Sequence, residues 1–184
     1  MELWNQERYQ AAGMDLTFVQ DNLSRSRRHT LRGLHFQNPH PQGKLVYVLE
    51  GEVFDVTVDI RPDSATFSRW VGYNLSAENR RQLYVPPGFA HGFCVISETA
   101  LFGYKCTDFY FPECEGGIAW DDPDIAIDWP TQEPLLSDRD RQSPRLSDVP
   151  RQALTIAAAP QPASMPDHAQ RAAHGKNRSG DTVR

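Results

Sequence analysis

From Leu16 to Tyr110 the chain is a run of short β-forming segments, each ended by a turn signal. The segments read "LTFVQDNLS", "HTLRGLHFQ", "LVYVL", "EVFDVTVDI", "SRWVGYNL", "RQLYVPPG", "HGFCVIS" and "ALFGYKCTDFY". Gly, Pro, Asn and Asp recur between them about every 8–12 residues, a spacing that predicts an all-β sandwich or barrel. In "EVFDVTVDI" Phe54, Val56, Val58 and Ile60 share one face and Asp55, Thr57 and Asp59 the other. That period of two predicts a half-buried strand, and Glu50-Gly51 before it predicts a hairpin with "LVYVL". The opening "ELWNQERYQAAG" predicts a short amphipathic helix closed at Gly13. Near the other end, "LLSDRDRQSPRLSDV" predicts a second short helix, with Ser137 as its N-cap. The acidic run from Asp121 to Asp128 lacks the ligand spacing of an EF-hand and reads as a turn.

The 184 residues suit one domain with extensions. We place the domain at residues 1–150 and a tail at 151–184, because "IAAAPQPASMPDHAQRAAHGKNRSGDTVR" has too little apolar surface to offset the entropy of ordering it. A net charge of −5 gives no general attraction to nucleic acid or to acidic lipid. The sequence has no apolar run of the roughly 20 residues that span a bilayer, and no secretory signal pattern. Cys94, Cys106 and Cys114 form neither a disulfide framework nor a CxxC metal site. The expectation is buried free thiols at Cys94 and Cys106, in a cytoplasmic protein with no nucleic-acid or membrane partner.

The chemistry is posed by "HFQNPHPQGKLVYVLEG" and "PPGFAH". Both have the frame of the motifs through which small cupin-type barrels hold a metal, and the second is complete with Pro86, Gly88 and His91. The first carries His35, Gln37 and Lys44, with lysine where a carboxylate ligand belongs. An ammonium has no lone pair and repels a cation, so no metal site is expected. What remains is imidazole beside a fixed positive charge. That suits removal of a proton next to a carbonyl: histidine is a base that works near neutral pH, and the cation stabilises the enolate oxygen.

The blocks "QDNLSRS", "LRGLHFQ", "DVTVDIRPDSATF", "YVPPGFAHGF", "YKCTDFYFPECEGGIAWDDPDIAIDWP" and "LSDRD", in that order, resemble the dTDP-4-dehydrorhamnose 3,5-epimerase family. The resemblance implies a cupin-type jelly roll, a homodimer, no cofactor, and inversion of C3 and C5 of dTDP-4-dehydro-6-deoxy-D-glucose on the way to dTDP-L-rhamnose. It implies His35 as general base, Asp140 as the carboxylate that orients it, Lys44 at the enolate oxygen and Tyr110 as the acid. Arg32 matches a binder of the diphosphate, a task for which guanidinium geometry is suited. Gln20, Asn22, Ser24, His91 and Glu115 match the lining of the substrate site. Family members usually begin upstream of the equivalent of Met1, with a segment that crosses to the partner subunit; the expectation here is a misplaced start. The same fold also serves single-site epimerases, ketoisomerases and non-catalytic sugar-nucleotide binders, and the sequence leaves these as alternatives.

Overall fold

A computed structural model describes residues 2–156. The tail expected from residue 151 falls mostly at 157–184, outside the described residues. Its first part is packed: a short helix, Arg151–Leu154, buries Leu154 against the core. Packing therefore continues past the boundary drawn at residue 150.

Among the described residues, nine strands form two antiparallel sheets. They are β1 (Gln20–Arg27), β2 (Leu31–Gln37), β3 (Lys44–Glu50), β4 (Glu52–Asp59), β5 (Trp70–Ser76), β6 (Gln82–Val85), β7 (Phe89–Val95), β8 (Thr99–Cys106) and β9 (Glu115–Gly117). One sheet has the order β1-β8-β3-β6 and the other β5-β4-β7-β2-β9. Helix α1 (Gln6–Ala11) precedes them; α2 (Asp138–Arg141) and α3 (Arg151–Leu154) follow. Helix α1 ends at Ala11 with Ala12, not the expected Gly13, as its cap; Gly13, with φ 91°, is the next residue. Ser137 caps α2, its side chain accepting from the Asp140 amide.

Two expectations about β4 are corrected. No hairpin joins β3 to β4: β3 pairs with β6 and β8, and β4 with β5 and β7. Gly51, with φ 74°, carries the chain from one sheet to the other. A Cβ there would lie 2.1 Å from the Thr99 carbonyl oxygen. Nor is β4 half-buried. Asp55, Thr57 and Asp59 are as buried as Val56 and Val58. The reason is that both faces of the five-stranded sheet are covered. Its inner face meets the other sheet through Val53, Phe93 and Val95 packed on Val46, Val48 and Phe102. Its outer face carries Leu34, Val56, Val58 and Ala90 under Ile118, Ile125, Trp129 and Leu146. The segment after β9 is thus a lid of apolar side chains on the sheet's back. The acidic turn that anchors it is organised by buried Asp122, which accepts from the amides of Asp124 (2.9 Å) and Leu146 (2.7 Å).

Asp59 survives burial by saturation with donors. It accepts from Arg61 Nε (2.9 Å) and Nη2 (2.7 Å), Ser64 Oγ (2.6 Å) and Thr66 Oγ1 (2.7 Å). Burial alone would raise its pKa, but these bonds outweigh burial and hold the carboxyl well below the usual carboxylate range. A depressed folded pKa means stability that is present above the unfolded value and lost as pH falls below it. Asp59→Asn is therefore expected to lower stability by about 1.5–3 kcal/mol at neutral pH, the worth of hydrogen bonds to a charged group. Its acid-denaturation curve should also be shallower than that of the parent below about pH 4. Denaturant titrations of both proteins across that range test this; parallel pH profiles would contradict it.

Candidate active site

The site lies between the sheets, beyond the end of the apolar inner core. Its shape begins with an irregularity in β2. The β2–β7 register shifts between Arg32 and His35, where Gly33 has φ 123°. At this crossing the backbones nearly touch: a Cβ on Gly33 would lie 2.6 Å from Gly92 Cα. The extra residue turns Leu34 and Phe36 onto the outer core and leaves Arg32, His35 and Gln37 on the cavity side. His35 then sits directly beside His91 of β7.

His35 Nε2 lies 2.5 Å from Asp140 Oδ1, joining β2 to the first turn of α2. The second oxygen of Asp140 accepts from Ser137 Oγ at 2.7 Å. Burial raises the Asp140 pKa, yet the bonds from His35, Ser137 and the Gly33 backbone outweigh it and lower it. An ionised Asp140 accepts the Nε2–H, so Nδ1 is the nitrogen left open to the cavity. Glu115 Oε1 lies 3.7 Å from that Nδ1. The other Glu115 oxygen accepts from Tyr110 Oη (2.7 Å) and from Arg139 Nη1.

The facing wall comes from the four-stranded sheet. Lys44 opens β3, with Cys106 of β8 as its cross-strand neighbour, and its Nζ lies 6.0 Å from the centre of the Tyr104 ring. Burial lowers the Lys44 pKa, opposed by Cys106, Glu115 and Asp55. Asp55 is fully buried and receives His91 Nε2 at 2.9 and 3.0 Å. Burial pushes the Asp55 carboxyl up; His91 and Lys44 pull it back. Tyr104, Phe102 and Cys106 alternate inward along β8, as do Gln20, Asn22 and Ser24 along β1. The resulting cavity holds about 350 Å³.

Nine of the ten residues singled out in the sequence line this one cavity: Gln20, Asn22, Ser24, Arg32, His35, Lys44, His91, Tyr110 and Glu115. The tenth, Asp140, stands behind His35. Sequence reasoning missed Tyr104, Asp55 and Arg139 as parts of the site. For Asp55 a signal existed, since a carboxylate alternating with Phe54 and Val56 needs a partner if both faces are covered. Among the described residues, no group of three or more His, Cys, Asp or Glu side chains is placed to hold a metal ion.

The sequence profile described as dTDP-4-dehydrorhamnose 3,5-epimerase matches residues 1–148. A dTDP-4-dehydrorhamnose 3,5-epimerase of Pseudomonas aeruginosa is 58% identical over 143 residues, covering 77% of this chain and 79% of that one. The crystal structure of the Legionella pneumophila 3,5-epimerase in complex with dTDP-4-keto-L-rhamnose superposes with a TM-score of 0.82 at 51% identity. It covers 86% of this chain and 85% of that one. A 3′-monoepimerase of Streptomyces bikiniensis in complex with dTDP-quinovose is also similar, with a TM-score of 0.77, 36% identity, and coverage of 84% of this chain and 80% of that one.

The lowered Lys44 pKa is open to direct measurement. In protein carrying ¹³C at the lysine ε-carbon, the Lys44 resonance, assigned by its loss in Lys44→Met, should titrate below the roughly 10.4 of free lysine. Titration at or above that value would show that the surrounding carboxylates outweigh burial.

Proposed function

Because the chain belongs to the dTDP-4-dehydrorhamnose 3,5-epimerase family, we propose that its cavity residues divide the work of that reaction between the two sheets. The enzyme inverts C3 and C5 of dTDP-4-dehydro-6-deoxy-D-glucose, the two carbons that flank the C4 ketone. Each inversion removes a proton from one face of the sugar and returns one to the other. The ketone itself is the electron sink.

His35 Nδ1 is the base. Asp140 fixes its tautomer and balances the imidazolium that forms, as in other histidine–carboxylate pairs. Lys44 stands across the cavity as a preorganised cation for the enolate oxygen. Its partial desolvation strengthens that interaction, because little water competes for the oxyanion. His91, held by Asp55, lines the same cavity from β7, beside His35. Arg32, Gln20, Asn22 and Ser24 receive the rest of the nucleotide sugar, with Arg32 suited to the diphosphate.

The acid must approach from the face opposite His35, and two tyrosines are available. Tyr110, to which the family resemblance pointed, has its hydroxyl committed to Glu115, on the His35 side, and is 45% exposed. Tyr104 is on β8, in the facing sheet, beside Lys44. Burial, then the charges of Cys106 and Glu115, raise its pKa, so the proton it must give is present at neutral pH. We therefore assign the acid to Tyr104 and a positioning role to Tyr110. The observation that carries the reading is the placement of the His35–Asp140 pair on one wall of the cavity and of Lys44 and Tyr104 on the other. The reading further places the enzyme in the cytoplasm, with its nucleotide-sugar substrate, as a homodimer. Leu23, 60% exposed on the outer face of β1, is an apolar contact such a pairing would cover. No helix among the described residues is long and apolar enough to cross a membrane.

Substitution separates the two tyrosines. Tyr104→Phe is expected to lose roughly 10²–10⁴-fold in kcat, the usual worth of a general acid, with KM little changed. Tyr110→Phe should retain most of kcat. Steady-state rates on the 4-dehydro sugar give the answer, and the reverse ranking would return the acid to Tyr110. His35→Ala should be as impaired as Tyr104→Phe.

A further inference from the structure

An inverting site of this kind ends each inversion in the wrong protonation state. His35 has gained a proton from carbon, and the acid has lost one. A second inversion needs the imidazole emptied first. Asp140 occupies Nε2 and is itself buried, so the proton cannot leave by that side. It must leave from Nδ1, the nitrogen that faces the sugar.

Among the described residues, Glu115 is the charged group at Nδ1. Glu115 Oε1 is 3.7 Å away, and its hydrogen-bonding capacity is otherwise unspent among the described residues. The other oxygen, Oε2, is held by both Tyr110 and Arg139, while Arg139 Nη2 also reaches the Glu115 carbonyl (3.4 Å). Two anchors on one oxygen fix the carboxylate with its free oxygen toward the base. The side chains of Glu115 and His35 retain 13% and 25% exposure, so water reaches the pair from the cavity mouth. The gap is longer than a hydrogen bond; a small rotation of the carboxylate or one bridging water closes it.

We propose that Glu115 takes from His35 Nδ1 the proton the base has collected from the sugar and passes it to water, resetting the base between the two inversions. The N–H bond breaks and an O–H bond forms on Oε1; imidazolium becomes imidazole and carboxylate becomes acid. Protonated Glu115 then releases the proton to water and is again the carboxylate that Arg139 and Tyr110 hold, while the tyrosinate left by the donor takes its replacement proton from water. Tyr110 and Arg139 stay on Oε2 throughout, so Oε1 keeps its orientation toward the base for the next transfer. Glu115 is thus a positioning and relay residue that acts through His35. The inference rests on the epimerase reading.

The test uses dTDP-4-dehydro-6-deoxyglucose deuterated at C3 and C5, incubated in H₂O with the full chain and with Glu115→Gln. With a slow reset, the deuteron stays on Nδ1 and returns to the carbon it came from. At equal conversion, substrate recovered from Glu115→Gln should therefore retain severalfold more deuterium than substrate recovered from the parent, and singly inverted sugar should accumulate. A change in binding alone would raise KM and leave that retention unchanged. Glu115→Ala gives a second check, since added acetate should restore the loss of deuterium. Equal deuterium loss at equal conversion in parent and Glu115→Gln would overturn the relay and leave the epimerase intact. A parent protein that neither loses deuterium nor inverts the sugar would overturn the epimerase reading, and the relay with it.

Discussion

A lysine side chain turned into the space between two β-sheets governs much of what surrounds it. Transferring an ammonium out of water is unfavourable, and a protein either neutralises the group or surrounds it with opposite charge. Lys44 has both pressures on it: burial lowers its pKa, and Glu115 and Asp55 oppose that. The counter-charges bring obligations of their own. Asp55, fully buried, needs the two contacts from His91. Glu115 is anchored by Tyr110 and Arg139. Removing Lys44 would therefore do more than delete the proposed oxyanion partner, because it would leave Asp55 without the charge of Lys44 and with the two contacts from His91.

The sandwich turns that local electrostatics into stereochemistry. Packed sheets lie about 10 Å apart, which leaves room for a sugar ring once side chains from both walls are in place. The proposed base comes from β2 on one wall; the proposed cation and acid come from β3 and β8 on the other. On that proposal opposite faces of the ring are addressed by different sheets, and inversion follows from architecture more than from any single residue. The wall that holds the base is also the better supported one. Its sheet is covered on the back by Ile118, Ile125, Trp129 and Leu146, and the same segment carries Asp140. The lid and the orienting carboxylate arrive together.

Much of this is legible in the sequence. The spacing of turn residues predicted the strands, and Ser137 marked the start of α2. His35 and Lys44 stood out because a lysine in a metal-site frame has no metal chemistry. Other features could not be read locally. Whether Gly51 closes a hairpin or switches sheets depends on which strands β3 and β4 choose, and that is settled by pairing with β8 and β7. The alternation in β4 was read correctly as a strand and wrongly as half-solvated, because the covering segment lies some distance along the sequence. The pairing of His35 with Asp140, 105 positions on, came from family resemblance and from nothing in the spacing. Tyr104 was overlooked for a similar reason: in "LFGYKC" either alternate set could face inward, and only the register with β1 and β3 decides.

The division of labour between the sheets is tested most directly by proton NMR of the nucleotide sugar after incubation with this protein in D₂O. The account predicts inversion at both C3 and C5, with deuterium in place of hydrogen at each. Deuterium and inversion at C3 alone would make the protein a monoepimerase and contradict a slot in which one base and one acid serve both carbons.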